Sequence, residues 1–458
     1  MRLRKTMRLR KTITTIVATA ILLAGWQLFA VIANQPELIP SLPRLVRTLC
    51  EWLVSGSFYQ SVGATIFRGI LGMSISFVCA IGMAGLFARF EWVYELFRPL
   101  LAIMRSIPVI SFILLALIFL NPESIPLMIA FLTMFPLLTE NLTRGILDLR
   151  PGLSIMARQF HIKRSNVLFQ IIYPQLKPFL YSGLASAAGF GWRAIIMGEV
   201  LSQCAFGIGS EMKRAQNFIA VPELLAWTIV AVFISFFFDK GISKVADITP
   251  KISFANEDQT IPTPTLSVLD TKDISYQYGI QHFSHSFQKG IIYGISAPSG
   301  KGKTTLLNLI GGILLPTKGE IHPTRHFGIA TIFQQPQLLP HLTAEENIIL
   351  PLSSFLTEEK ARRIAQKHLQ EMEMEPFGNR YPKELSYGQQ QRIAIARALA
   401  YPSPLLLMDE PFKGLDEALS HRIIERIREK QMKEERIILF TSHNPDEIRL
   451  LADEVIYL

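Results

Sequence analysis

From Ile13 to Ala33 the chain runs without a charged side chain. That stretch is long enough to cross the hydrocarbon core of a bilayer as a helix, which takes about 20 residues. Further apolar stretches follow at Gly69 to Ala88, about Pro99 to Leu120, about Ser124 to Thr139, about Phe179 to Leu201 and about Leu224 to Phe238. The expected fold of residues 1–245 is therefore an all-α, six-helix transmembrane domain. Beyond Gly241 hydrophobicity collapses, and Asn256 to Thr265 is polar with two prolines. This composition suits a linker, placed at 246–265.

Residues 1–250 hold 23 Lys/Arg against 12 Asp/Glu, and the remainder holds 23 against 25. The net charge of +9 thus belongs to the apolar half, where basic residues lie between spans as in cytoplasmic loops; no nucleic-acid partner is expected. Six Lys/Arg precede the first span, within a tandem hexapeptide, Met1 to Thr6 and Met7 to Thr12. They place the N-terminus in the cytosol, and the length of the span suits a retained anchor better than a secretory signal. Six spans that start inside end inside, so the loop Glu140 to Pro178 is expected in the cytosol. Its Arg144, Arg150, Arg158, Lys163, Arg164 and Lys177 agree, whereas Arg44, Arg47, Lys213 and Arg214 fall outside against the bias. Cys50, Cys79 and Cys204 have no metal-type spacing and form no disulfide framework, which leaves them as packing residues.

The second half changes character. Ile291 to Ile295, Ile329 to Phe333, Leu405 to Met408 and Ile437 to Phe440 are short apolar runs bounded by turns, the pattern of buried parallel strands. Thr357 to Met372 has helical periodicity, with Thr357 placed to cap its start. Between the first run and a helix starting near Leu306 lies Ala297-Pro298-Ser299-Gly300-Lys301-Gly302-Lys303-Thr304-Thr305. Its small residues let successive N–H groups face a triphosphate; Lys303 can reach the β/γ-phosphates and the Thr304 hydroxyl can bind Mg²⁺. Ala297 stands where this loop pattern usually has glycine. If the turn demanded a positive φ there, the cost would be about 1–2 kcal/mol. Leu405 to Glu410 is an apolar run ending in two acids; Asp409 would hold Mg²⁺, and Glu410 would polarise an attacking water.

Leu385-Ser386-Tyr387-Gly388-Gln389-Gln390-Gln391-Arg392 resembles the signature motif of ATP-binding-cassette (ABC) ATPases, whose usual form is Leu-Ser-Gly-Gly-Gln; Tyr387 departs at the third place. The resemblance extends over residues 266–458 and implies an α/β P-loop ATPase domain with a helical subdomain. By resemblance Tyr278 stacks on adenine, with Tyr276 as second candidate. Gln334 touches Mg²⁺ and senses the membrane subunit, Asp416 lies in the loop coupling two ATP sites, and His443 contacts the γ-phosphate. Ser386, Gly388 and Gln389 approach the ATP of the opposite subunit. The family sandwiches ATP between one subunit's phosphate loop and the other's signature, so a chain with one ATPase domain implies a dimer, most simply a homodimer.

Met156-Ala157-Arg158-Gln159-Phe160-His161, followed at the right spacing by Ile171-Ile172-Tyr173-Pro174, resembles the coupling loop of ABC importer permeases, with His161 in place of its glycine. Leu38 to Pro43, Arg105-Ser106-Ile107-Pro108, Gly191-Trp192-Arg193 and Gly198-Glu199-Val200 resemble permeases of the nitrate, sulfonate and taurine uptake group, which also serves vitamin precursors. The resemblance implies ATP-driven import across a bacterial inner membrane, with the ATPase domain cytoplasmic, a separate solute-binding protein and a small, anionic or vitamin-like solute. An ABC exporter and a non-transporting regulatory ATPase are the alternatives. Arg193 and Glu199 are costly within a membrane and about 120° apart on a helix. Either Arg193 attracts an anionic substrate or the two make contacts between helices.

Overall fold

The computed structural model describes residues 2–246, 250–259, 266–277, 279–298, 300–323 and 328–458, with the backbone alone at 2–9, 11, 12, 15, 16, 245 and 246. Eleven α-helices come first: α1 (Arg2–Ala33), α2 (Leu42–Trp52), α3 (Gly56–Arg89), α4 (Glu91–Ser106), α5 (Val109–Phe119), α6 (Ile125–Leu147), α7 (Pro151–Gln159), α8 (Arg164–Asn166), α9 (Tyr173–Ser202), α10 (Ile208–Asn217) and α11 (Val221–Ala246). The chain divides into two compact units, Met1–Asp148 with Leu176–Ile248, and Leu149–Gln175 with Thr249–Leu458.

In the first unit the order of residues along α3 decides its packing. Ser61, Thr65, Gly69, Gly72, Ser76, Ala80 and Ala84 recur every three or four residues and form its buried face. Small side chains let backbones approach, which is how helices associate where lipid removes the hydrophobic drive. At Gly72 an added Cβ would lie 2.7 Å from the Cβ of Ala130 on α6. The large residues Phe67, Ile70, Val78 and Ile81 stay exposed on α3, as suits a lipid-facing side.

Four segments among the described residues are long and apolar enough to cross a membrane: Gly56–Arg89, Pro122–Leu147, Arg164–Ser202 and Val221–Lys244. The count becomes five if α4 and α5, bent by 94° at their junction, are one span. The expected third stretch is thus two helices, because Pro108 between them offers no N–H to continue a helix. The apolar part of α1 is the shorter Val17–Ala33.

Glu199 of α9 is fully buried. Its carboxylate accepts hydrogen bonds from Arg68 Nη1 at 2.7 Å, Thr65 Oγ1 at 2.9 Å and the Gly209 N–H at 3.0 Å. Arg68 also meets Glu123 at 2.7 Å and the Phe206 carbonyl at 2.7 Å. A buried charge needs this degree of satisfaction, so Glu199 makes contacts between helices. Arg193 is exposed.

The second unit holds strands β1 (Val268–Tyr276), β2 (Ile280–Gln288), β3 (Ile292–Ser296), β4 (Lys318–His322), β5 (Ala330–Ile332), β6 (Leu405–Asp409), β7 (Ile437–Thr441) and β8 (Glu454–Tyr457). Five make a sheet in the order β5-β6-β7-β3-β8, paired in parallel throughout. The other three form an antiparallel sheet, β2-β1-β4. All four apolar runs read as strands lie in the parallel sheet, and β6 and β7 are buried at every residue. With α7 and α8, helices α12 (Lys303–Ile310), α13 (Ala344–Leu352), α14 (Glu358–Glu371), α15 (Tyr387–Ala400), α16 (Glu417–Glu434) and α17 (Pro445–Leu451) also belong to this unit.

Part of the stretch read as a linker is packed. Ile252 and Phe254 lie against the core of this unit, and the Gln259 N–H donates to the Phe355 carbonyl at 2.8 Å. Thr357 precedes α14 as expected, but its hydroxyl donates to the Asp258 carboxylate at 3.0 Å and makes no cap bond. An ionised acceptor makes the stronger hydrogen bond. Residues 260–265 lie outside the described residues.

Candidate functional site

The parallel sheet brings the sequence-predicted residues to one edge. Strands β3, β6 and β7 are neighbours in register, Asp409 facing Thr441 and Ile295 facing Thr441, so the loops after them share the sheet's C-terminal edge, where ligands bind in such folds. After β3 the chain turns into α12 through Gly300, φ +81°, and Gly302, φ +91°. A Cβ at Gly302 would lie 2.8 Å from the Gly279 carbonyl oxygen. Among the described residues of this loop the positive φ values fall at these glycines and not at Ala297, so the alanine carries none of the strain considered above. Pro298 and Lys301 close the turn through a 3.3 Å bond from the Lys301 N–H to the Pro298 carbonyl. Ser299 and Tyr278 lie outside the described residues; Tyr276 packs partly buried against the core.

Lys303 is almost wholly buried and curls back, its Nζ donating to the Ala297 carbonyl at 2.6 Å and lying 3.5 Å from His443 Nδ1. Thr304 Oγ1 donates to Asp409 Oδ2 at 2.9 Å, and Thr441 Oγ1 donates to Asp409 Oδ1 at 2.7 Å. The same Thr441 hydroxyl accepts from the Glu410 N–H at 3.1 Å. Thr305 is half-buried.

Glu410 has φ +48°, a strained value for a non-glycine residue of the kind that persists at functional sites. Its carboxylate meets His443 Nε2 at 2.9 Å, Lys413 Nζ at 3.2 Å and the Gln334 side-chain amide at 3.3 Å. Partial burial opposes its charged form, but the hydrogen bonds from Gln334 and Lys413 and the charges of Lys413 and His443 outweigh this and hold the carboxyl below the ordinary glutamate value.

The signature residues start α15. Ser386 and Gln389 form a reciprocal capping box, the Ser386 N–H donating to Gln389 Oε1 at 2.9 Å and the Gln389 N–H to Ser386 Oγ at 3.3 Å. Gly388 sits against the Gly414 carbonyl, where a Cβ would lie 2.6 Å away. Asp416 caps α16 through the Leu419 N–H at 2.9 Å. No hydrogen bond among the described residues ties Ser386 or Gly388 to the phosphate loop; their link to the cluster runs through Tyr387, whose hydroxyl donates to the Gln334 carbonyl at 2.7 Å.

Four residues with no role of their own assigned from the sequence belong to this arrangement. Thr441 bridges Asp409 and Glu410, and Lys413 faces Glu410. Arg397, buried on α15, donates to the carbonyls of Pro336 and Gln337 at 2.9 and 2.8 Å and lies over the Phe160 ring; burial pushes its guanidinium down to about 9. Gln159, at the end of α7, is buried and reaches the carbonyl of Gly311 at the end of α12. Of these, Thr441 stands two residues before His443 and Gln159 lies in the coupling-loop motif quoted above, whereas Lys413 and Arg397 carry no such signal.

A threonine hydroxyl and a strand-end carboxylate within 2.9 Å supply oxygen donors of the kind that suits Mg²⁺ shared with phosphates. Among the described residues no group of three or more His, Cys, Asp or Glu is placed to hold a metal ion.

Comparison with known proteins bears on this site. Residues 280–413 match the family described as ABC transporter, and residues 72–239 match the binding-protein-dependent transport system inner membrane component. The thiamine import ATP-binding protein of Yersinia pseudotuberculosis is 34% identical over 205 residues, covering 42% of this chain and 86% of that protein. The chain belongs to the ABC transporter family. Other ABC relatives include an Fe(3+) ions import ATP-binding protein of Rhizobium etli, 35% identical over 189 residues, and a glucose import ATP-binding protein of Saccharolobus solfataricus, 35% identical over 185 residues. These matches cover 39% and 37% of this chain, and the chain spans about half the length of each, 54% and 52%. Among solved structures, a dimeric post-hydrolysis ATP-binding cassette bound to ADP and Pi is 31% identical, with 42% of this chain and 94% of that chain covered and a TM-score of 0.39. A permease-type segment and an ABC ATPase domain thus share one chain.

Proposed function

We propose that this chain is half of an ATP-driven importer: a six-span permease over residues 1–245 joined through 246–265 to an ATPase domain over 266–458, working as a homodimer in a bacterial inner membrane with the ATPase domain in the cytoplasm. The observation that carries this reading is the convergence of Lys303, Thr304, Asp409, Glu410, Gln334 and His443 through hydrogen bonds and ion pairs, in a chain whose other half matches binding-protein-dependent permeases.

Each side chain then has a role. The loop from Ala297 to Thr305 cradles the phosphates with its N–H groups, and Lys303 turns from the Ala297 carbonyl to the β/γ-phosphates. Tyr278 stacks on the adenine. Thr304, Asp409 and Gln334 would hold Mg²⁺, which supplies neutralisation of phosphate charge when bound. Glu410, kept ionised, orients and polarises a water for attack on the γ-phosphorus; the bond to the β-phosphate oxygen breaks and ADP leaves. His443 steadies the γ-phosphate. Ser386, Gly388 and Gln389 of one subunit close over the ATP of the other, and Asp416 lies in the loop between the two sites. Closure pushes on Pro151–Gln159 and the turn after it, and hydrolysis resets them.

The solute is a small one of the nitrate, sulfonate and taurine kind or a vitamin precursor, delivered by a separate binding protein; exposed Arg193 is the candidate for attracting an anion. Uptake into vesicles holding the purified chain separates the readings. Import that needs both ATP and the binding protein supports this one. Outward transport indicates an exporter, and ATP turnover without transport a regulatory ATPase.

A further inference from the structure

The residue at which the signature departs from its usual form makes a bond that glycine there could not. Tyr387 is exposed over 42% of its surface, so burial does not explain its position. Its hydroxyl donates to the backbone carbonyl of Gln334 at 2.7 Å, and its ring lies against Gly414, where a Cβ would come within 2.8 Å of Tyr387 Cδ1. Gly414 has φ +79°, a conformation and a closeness that a side chain would disturb. Gln334, whose backbone Tyr387 holds, is the residue whose side-chain amide reaches Glu410 at 3.3 Å.

The loop from Gln334 to Gln337 is pinned to α15 at both ends. Arg397 holds the carbonyls of Pro336 and Gln337 from within the core, and Tyr387 holds Gln334 from the exposed side. The first anchor is buried and belongs to the fold. Removing the second is expected to leave the fold intact, because α15 starts from the Ser386–Gln389 capping box and is secured by buried Ile393, Ala394 and Ile395.

We infer that Tyr387 is a positioning residue: through its hydroxyl it sets the backbone of Gln334 so that the Gln334 amide stays on Glu410, and through its ring it keeps the Gly414 loop beside that pair. The inference rests on the proposed role of Glu410 in ATP hydrolysis. Tyr387 itself touches no reacting atom; it acts through Gln334.

The test uses the full chain in lipid nanodiscs with Mg-ATP, comparing wild type, Tyr387→Phe, Gln334→Ala, the double variant and Glu410→Gln. Tyr387→Phe keeps the ring and removes the hydroxyl. It is expected to lower kcat about 3- to 10-fold with KM changed less than about twofold, at unchanged melting temperature, the range for losing a hydrogen bond to a positioning group. The double variant should turn over no more slowly than Gln334→Ala alone, since both lesions act on one contact. A Tyr387→Phe kcat equal to wild type, or losses that multiply in the double variant, would overturn the inference while Glu410→Gln remains inactive. Turnover by Glu410→Gln equal to wild type would overturn both this inference and the hydrolytic reading beneath it.

Discussion

The side-chain amide of Gln159 donates a 2.8 Å hydrogen bond to the carbonyl of Gly311, so the end of α7 is tied to the end of the helix that Lys303 begins. The same residue accepts from the Ile329 N–H at 2.7 Å through its backbone and from Thr331 Oγ1 at 3.4 Å through its side chain. Beside it Phe160 is fully buried among Arg397, Tyr401 and their neighbours, a burial worth about 1.5–3 kcal/mol. One short segment therefore grips both the phosphate-loop helix and, through Arg397, the loop that carries Gln334.

Replacing Gln159 by Leu leaves the Gly311 carbonyl without its donor, a loss of about 1–3 kcal/mol at this contact. The expected outcome is a chain that still hydrolyses ATP within about threefold of wild type but transports fewer solute molecules per ATP. Parallel uptake and phosphate-release measurements on the same vesicles check it; a preserved ratio would separate Gln159 from coupling.

Lys413→Met removes a cation 3.2 Å from Glu410. In the wild type the carboxyl is held below its usual value, so the charged form persists above that lowered pKa and is lost only as pH falls through it. Without Lys413 the pKa rises, and the acid limb of the kcat–pH profile moves to higher pH. Lys413 is half exposed, so solvent screening keeps the movement modest.

His161 has φ +47°, and it stands where the motif that this turn resembles has glycine. The structure supplies the reason for that glycine: the turn after α7 needs the left-handed region. His161→Gly should fold with stability within about 1 kcal/mol of wild type, relief of strain offsetting the entropy of glycine. His161→Val should lose about 1–2 kcal/mol, read as a lower melting temperature.

Arg68→Met strands the buried Glu199 carboxylate and is expected to cost about 3–5 kcal/mol. Arg68→Met with Glu199→Gln should recover much of that loss, a coupling that a double-mutant cycle in detergent measures directly.

What could be read beforehand followed from regular patterns. The apolar runs around Tyr293, Leu406 and Leu439 became parallel strands because buried strands have a plain signature, and Lys303, Thr304, Asp409 and Glu410 carried their spacing with them. The bend of 94° between α4 and α5 falls at Pro108, inside a stretch whose mean hydropathy reads as one span despite Arg105 and Ser106. Arg68 escaped notice because it lies one residue before the apolar stretch from Gly69, and its partner Glu199 is more than a hundred residues away. Gln159, Arg397 and Tyr387 act through backbone carbonyls, which leave no trace in side-chain patterning.

The central claim is that the convergence on Glu410 hydrolyses ATP. Its most direct test is phosphate release by the purified full chain in lipid nanodiscs with Mg-ATP, comparing wild type with Glu410→Gln, which keeps the shape and removes the charge. The account predicts steady hydrolysis by the wild type and a loss of about 100-fold or more in the variant, on the scale of removing a catalytic group. Equal turnover by the two proteins would contradict it.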